Sequence, residues 1–283
     1  MPTQPNKFAP PTDWSNVADW YDQLVGGDGS EYHKHVVLPG ILHLLGDVKA
    51  KSILDVACGQ GVLCRLLADK GASVTGVDSA DPLVRIARQR TPSIHYHVGD
   101  ARDIDFLPAN FFDSATCILA IQNMHPIQPV LDTTARRLKQ WGTLVIVMMH
   151  PCFRGAKESS WGWDIDKGVQ YRRVDRYLSP RKSPIVTNPG KKDSTYTWTF
   201  HKPLQDYVKA CRKAGLLVDA MEEWPSHKMS NSGPRAHAEN TARKEIPMFM
   251  AIRAVKVPAA SLPAQVSAIS VDPSDVDTEA AAG

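Results

Sequence analysis

The sequence lacks any uninterrupted apolar run of the roughly 18 residues that a bilayer-spanning helix needs, so no membrane association is expected. It also lacks a strong charge of either sign. A net charge of +3 over 283 residues is too small to argue for a nucleic-acid partner by itself. The five cysteines, Cys58, Cys64, Cys117, Cys152 and Cys211, are odd in number, scattered, and never spaced C-x-x-C. That spacing speaks against both a zinc cage and a disulfide framework, and a reducing cytoplasm is the simplest setting. No metal is expected. The opening residues MPTQPNKFAPPTDW hold no apolar core segment, so no secretory signal is read there. No internal repeat is present.

What is there is the composition of a globular protein, 43% hydrophobic and 22% charged. Residues 1–13 are rich in proline and polar groups and read as a loose arm. SNVADWYDQLV places Val17, Trp20, Tyr21 and Leu24 at helical spacing, and VVLPGILHLLG resumes an apolar face after a glycine-rich break. From residue 51 strands and helices alternate. KSILDVA, ASVTGVD, SIHYHVGD, FFDSATCILAI and TLVIVMMH read as strands one to five. GVLCRLLADKG, DPLVRIARQR and VLDTTARRLKQWG read as helices between them. Such alternation with short links predicts an α/β fold, a doubly wound and mostly parallel sheet.

Residues 150–195 break the rhythm with prolines, glycines, two tryptophans and many bases. An inserted lid or small subdomain after strand five is expected, because a structureless loop of that length is uncommon. Beyond it TYTWTF, LLVDAMEEW and IPMFMAIRAVK read as strands and KPLQDYVKACRKAG as a helix. PSHKMSNSGPRAHAENTARKE reads as loop. From 257 the tail has four acids, no bases and no aromatics, and is expected to be disordered. The main domain is therefore 14–256.

In an open parallel sheet, ligands sit beyond the carboxyl ends of the strands. Strand one ends in DVACGQG. There Gly59 and Gly61 let backbone approach a ligand, and the following helix offers free N–H groups. The dinucleotide fingerprint would add a third glycine, but Cys64 stands in its place. Asp55 would repel a pyrophosphate and suit an ammonium group. Asp78, closing strand two, could accept both hydroxyls of a ribose. Asp100, closing strand three, could accept from an exocyclic amine. An amino acid, a ribose and an adenine in that order describe S-adenosylmethionine (SAM).

On ILDVACGQG, VTGVDSA, VGDAR and the stretch from Phe111 to Val147, the sequence resembles a class I SAM-dependent methyltransferase. The resemblance implies a seven-stranded Rossmann-like sheet and SAM as cofactor. It implies that the Ala57, Cys58, Gly59 and Gly61 backbone faces the methionyl part, that Asp78 and Ser79 face the ribose, and that Asp100 and Ala101 face the adenine. Leu119 and Ala120 then line the pocket, and the N-terminal helix brings an aromatic, Tyr21, to the cofactor. KQWG departs from the Pro-Gly-Gly often seen before strand five. Lys34 could pair with the cofactor carboxylate.

Methyl transfer is an in-line displacement from an activated donor, and a base is needed only where the acceptor must lose a proton. His125, following strand four, and His150, ending strand five, are the candidate catalytic groups. Trp20, Arg154 and Trp161 are candidate acceptor contacts. Residues 151–202 carry eleven bases against five acids. That segment could grip an acidic or aromatic small molecule or face RNA. A small-molecule acceptor is preferred, with an O, N or C atom methylated, since no RNA-binding module is appended. An RNA methyltransferase and a non-catalytic SAM-binding protein are the alternatives. A monomer or homodimer is expected.

Overall fold

The computed structural model describes residues 14–155, 158–187 and 194–258. The expectations of a loose arm over 1–13 and a disordered tail from 257 fall almost wholly outside these residues.

After a 3-10 turn at Ser15–Val17 come α1 (Ala18–Val25), a π-helical turn (His33–Val37) and α2 (Leu38–Leu45). The alternating part follows: β1 (Ser52–Val56), α3 (Val62–Asp69), β2 (Ser73–Asp78), α4 (Asp81–Arg90), β3 (His95–Val98), β4 (Phe112–Ile118), α5 (Gln128–Arg137) and β5 (Leu138–Met149). Then come β6 (Ser159–Asp164), β7 (Val169–Val174), β8 (Arg181–Val186), β9 (Tyr196–His201), α6 (Leu204–Lys213), β10 (Leu216–Trp224), α7 (Ala236–Glu245) and β11 (Phe249–Lys256). Seven strands form one sheet in the order β10-β11-β5-β4-β1-β2-β3. Six strands point the same way and β11 runs against them.

The two-residue period of the strands divides the core between the two faces. Leu144, Ile146 and Met148 of β5 join Leu54 and Val56 of β1 and Tyr207 of α6 on one side. Val145 and Val147 join Ile53, Val37 and Ile41 on the other. Strand order reverses at β1 and β4, so the crevice for a ligand lies where these strands end.

Four expectations need correction. TYTWTF does not extend the main sheet; as β9 it pairs with β8 in a separate ribbon, from Arg181↔His201 to Val186↔Tyr196. The insertion is thus two antiparallel ribbons, β6–β7 and β8–β9, and it reaches His201 rather than residue 195. The helix read through Gly142 ends at Arg137, since Leu138 already pairs with Phe112. Trp141 takes a φ of 66° there, and a Cβ on Gly142 would stand 2.9 Å from the Lys139 carbonyl oxygen. Finally, residues 236–245 form a helix, not a loop. It buries only Ala242 and so shows no apolar stripe, but Arg235 before it stacks its guanidinium 4.5 Å from the Trp163 ring of β6.

Candidate functional site: two adjoining cavities at the strand ends

The turn after β1 is held open by its backbone. Ala57 and Gly59 both have positive φ, 59° and 54°, and Gly61 caps α3 in the left-handed region at 82°. Asp78, at the end of β2, ties the turn down. Its Oδ2 accepts from the Gly59 N–H and its Oδ1 from the Ala80 N–H, both at 2.8 Å. Burial pushes the Asp78 carboxyl above its usual range, while these N–H donors pull it back. No ion pair reaches Asp78 among the described residues. Asp100 is different: Arg102, itself buried, is paired with it at 2.7 Å and donates also to the His125 carbonyl oxygen.

The first cavity opens over this turn. Its wall includes Tyr21, Ala57, Gly59, Asp78, Ser79, Asp100, Ala101, Leu119, Ala120 and His125 from the sequence reading. Trp14, Leu83, Gly99, Arg102, Ile118, Asn123, Met124 and Phe200 complete it. Tyr21 lies over the turn, so a Cβ on Gly59 would come 3.4 Å from the ring. Helix α1 is fixed in that place by Asp22, which accepts two hydrogen bonds from Arg90 of α4 at 2.7 and 2.9 Å.

Four residues expected at the cofactor do not line this cavity. Strand alternation sends Asp55 to the same face as Ile53, beneath α3, where it is 2% exposed. Thr116 Oγ1 donates to it at 2.7 Å and the Cys64 thiol at 3.3 Å. Desolvation raises its carboxyl to about 6. The assignment of Asp55 to a ligand ammonium is therefore replaced by a buried support beneath the turn. Cys58 is buried with its thiol toward the Gly59 carbonyl oxygen at 3.7 Å. Gly61 serves the turn itself, because a Cβ there would strike the Tyr96 hydroxyl at 2.5 Å. Lys34 lies exposed on the π-helical turn, outside both cavities.

A second cavity, of about 300 Å³, adjoins the first and shares Trp14, Tyr21, Leu119, Asn123 and Phe200 with it. Trp20 and Arg154 are in its wall, as expected for acceptor contacts, together with Gln122, Thr199, His201, Lys202 and Tyr207. Trp161 is in neither wall. It lies flat beside the guanidinium groups of Arg154 and Arg172, at 5.0 and 5.1 Å, and so braces Arg154 from behind.

The two histidines part company. His125 stands at the mouth of the first cavity, stacked on Phe200 of β9 with centroids 5.2 Å apart. Desolvation, Lys202 and Arg102 all lower its pKa, which favours the neutral ring. His150 is 2% exposed and lines neither cavity. The Cys152 N–H donates to its Nδ1 at 3.2 Å, which leaves the ring proton on Nε2, donated to Glu223 at 2.6 Å. Both nitrogens are committed, so the expected catalytic role of His150 is replaced by a clasp between the end of β5 and β10.

Sequence reasoning missed Lys202 and Phe200, which approach the site only because β8–β9 folds back over it. Thr199 donates to the Gln122 carbonyl oxygen at 3.3 Å, joining the ribbon to the turn after β4. The one available signal was a lysine between an aromatic strand and a helix-opening proline, TFHKP.

A parallel sheet of this order, a glycine turn at its switch point and a carboxylate closing the next strand define a class I SAM-dependent methyltransferase fold. The wall chemistry suits the cofactor: bare backbone at Ala57–Gly59, the acceptor oxygens of Asp78, and apolar Leu83, Leu119 and Ala120. Comparison with known proteins agrees. Residues 53–142 match the family model of a methyltransferase domain. An N,N-dimethyltransferase of dTDP-3-amino-3,6-dideoxy-alpha-D-glucopyranose from Streptomyces fradiae is 35% identical over 129 residues, 45% of this chain and 50% of that one. A demethylmenaquinone methyltransferase from Thermotoga maritima is 31% identical over 144 residues, 49% of this chain and 60% of that one. The chain thus spans about half the length of the curated relatives it matches. A SAM-dependent methyltransferase from Mesorhizobium loti superposes with a TM-score of 0.61 at 26% identity, covering 77% of this chain and 96% of that one. Residues 53–142 thus lie in a methyltransferase domain with the fold of class I SAM-dependent methyltransferases, whose cofactor is SAM. No helix among the described residues is long and apolar enough to cross a membrane.

Proposed function

We propose that the protein transfers a methyl group from SAM to a small-molecule acceptor. The observation that carries this reading is the junction of the two cavities. The first is floored by the glycine turn and Asp78, the second is walled by aromatic rings, and Tyr21, Leu119, Asn123 and Phe200 belong to both. SAM supplies an electrophilic methyl on a sulfonium. The chain's part is to align the partners and exclude water. Asp78, Ser79 and the Ala57–Gly59 backbone hold the nucleoside and methionyl parts. The β8–β9 ribbon, through Phe200, roofs the site. Such a roofed cavity of about 300 Å³ favours a small molecule over a polymer as acceptor.

The test is to incubate the protein with methyl-tritiated SAM, a metabolite extract and total RNA, and to follow where label goes. Label in a small compound supports the reading. Label confined to RNA, with binding that weakens steeply in salt, would replace the acceptor. Tight SAM binding with no transfer to either fraction would leave a binding protein.

A further inference from the structure

The second cavity has a one-sided charge. Among the described residues no aspartate or glutamate is in its wall, while Lys202 and Arg154 are. Lys202 is only 7% exposed. Among the described residues its ammonium donates to one acceptor, the Met124 carbonyl oxygen at 3.2 Å, and lies 5.4 Å from the Phe200 ring centroid. An ammonium has three donors, and a buried charge is costly unless it is paired. Asp206 on α6 attracts it without forming an ion pair among the described residues, while His125 lies close enough to feel its charge. Burial lowers its pKa to about 8. Arg154 is braced by Trp161 and by the carbonyl oxygens of Ile246 and Pro247, both at 3.3 Å. A second observation points to a ligand independently: Gln122 Oε1, in the same wall, is buried and has no hydrogen-bond partner, while its Nε2 donates to the Leu119 carbonyl oxygen. The rest of the wall is mainly apolar, with the aromatic rings of Trp14, Trp20, Tyr21, Phe200 and Tyr207 beside Leu24, Leu119, Met149, Pro151 and Ile185.

Resting on the methyltransferase reading, we infer that this cavity takes a planar aromatic acceptor bearing an acidic hydroxyl, held as its oxyanion against Lys202. The ring lies among the aromatic side chains. Where the hydroxyl arrives protonated and Lys202 neutral, the O–H bond breaks, an N–H bond forms on Nζ, and the electron pair stays on oxygen. The resulting ammonium and oxyanion pair where neither is well solvated. A neighbouring hydroxyl or amine on the ring supplies the donor that Gln122 Oε1 lacks. Lys202 then contacts the acceptor directly and sets its class.

The probe is para-nitrophenol, whose oxyanion absorbs visible light and whose neutral form does not, added to the full chain saturated with S-adenosylhomocysteine (SAH). The expected result is a visible band from bound probe at a pH where the free compound is mostly protonated. Lys202→Met removes that band and weakens binding about tenfold or more. Lys202→Arg keeps the cation and retains binding. Para-nitroanisole, which has no acidic hydroxyl, binds more weakly than para-nitrophenol. SAH affinity, measured by calorimetry, changes far less than probe affinity in both variants, since Lys202 meets the first cavity only through the Met124 carbonyl oxygen and Phe200; this also reports folding. Probe bound only as neutral phenol, equal binding by Lys202→Met, preference for para-nitroanisole, or no probe binding by protein that holds SAH would each overturn the inference. Failure to bind SAH at all would instead overturn the cofactor reading on which it rests.

Discussion

The two cavities differ in how they are built. The first is made largely by the sheet: its turn, its carboxylates, Ile118, Leu119 and Ala120 come from residues at the ends of β1, β2, β3 and β4, within a stretch of continuous alternation, and Trp14, Tyr21, Leu83 and Phe200 close it. The second is assembled from α1, the turn after β4, the loop after β5, β8–β9 and the start of α6. Their electrostatics differ too. Asp78 gives the first a carboxylate with no ion pair, suited to a cationic sulfonium ligand, while Lys202 and Arg154 give the second a positive wall. In the proposed reading, donor and acceptor sites of opposite polarity therefore meet at Tyr21 and Phe200. The cofactor side is a property of the fold, and the acceptor side is a property of what this chain inserts into it.

The largest expected effect tests the first cavity. Asp78→Ala removes the acceptor for the Gly59 and Ala80 N–H groups together with the carboxylate in the wall. Hydrogen bonds to a charged group are worth about 1.5–3 kcal/mol each, so calorimetry should show SAH affinity down about a hundredfold or more. Unchanged affinity would erase the distinction between the cavities. Next is Asp55, beneath the same turn. Its folded pKa is raised, so the protonated fold is favoured. The stability it adds is full below 3.8 and is lost as pH rises to about 6. The unfolding free energy of the native chain minus that of Asp55→Asn, from denaturant titrations, should therefore fall across that window by an amount of order 2–3 kcal/mol. A difference independent of pH would mean that Asp55 is not buried as described.

Gly61→Ala should destabilise by about 1–3 kcal/mol in denaturant unfolding, because it places a Cβ at φ 82° and against Tyr96. His150→Ala should cost about 1–2 kcal/mol of stability and leave SAH affinity untouched, which separates a clasp from a catalytic base. Loss of transfer activity with native stability would return His150 to the site. The smallest effect is Lys34→Ala, which should change neither SAH affinity nor stability measurably.

Legibility in the sequence followed the same division. Asp78, Ser79, Asp100, Ala101, Leu119 and Ala120 could be placed from local pattern because a strand's end is also the sheet's rim, and alternation with short links makes that rim common to all. Asp55 could be placed in β1 but not on a face, since a shift of one residue moves a side chain to the opposite side of the sheet. His150 was read as catalytic for the same positional reason. Its partner, Glu223, lies on β10, 73 residues away, and nothing local announces that pairing. Helix α7 was hidden because it is polar on nearly every side and packs through Arg235 and Trp163.

The amino-acid sequence by itself determined the doubly wound sheet, the glycine turn and the cofactor, because periodicity and strand-end chemistry act over a few residues. Only the tertiary structure decided which carboxylates face the cavity, which histidine is occupied elsewhere, and that Lys202 is buried beside an aromatic wall. Those outcomes depend on ribbons and helices distant in sequence coming into contact. Burial, which changes what a lysine or an aspartate can do, is a property of that contact.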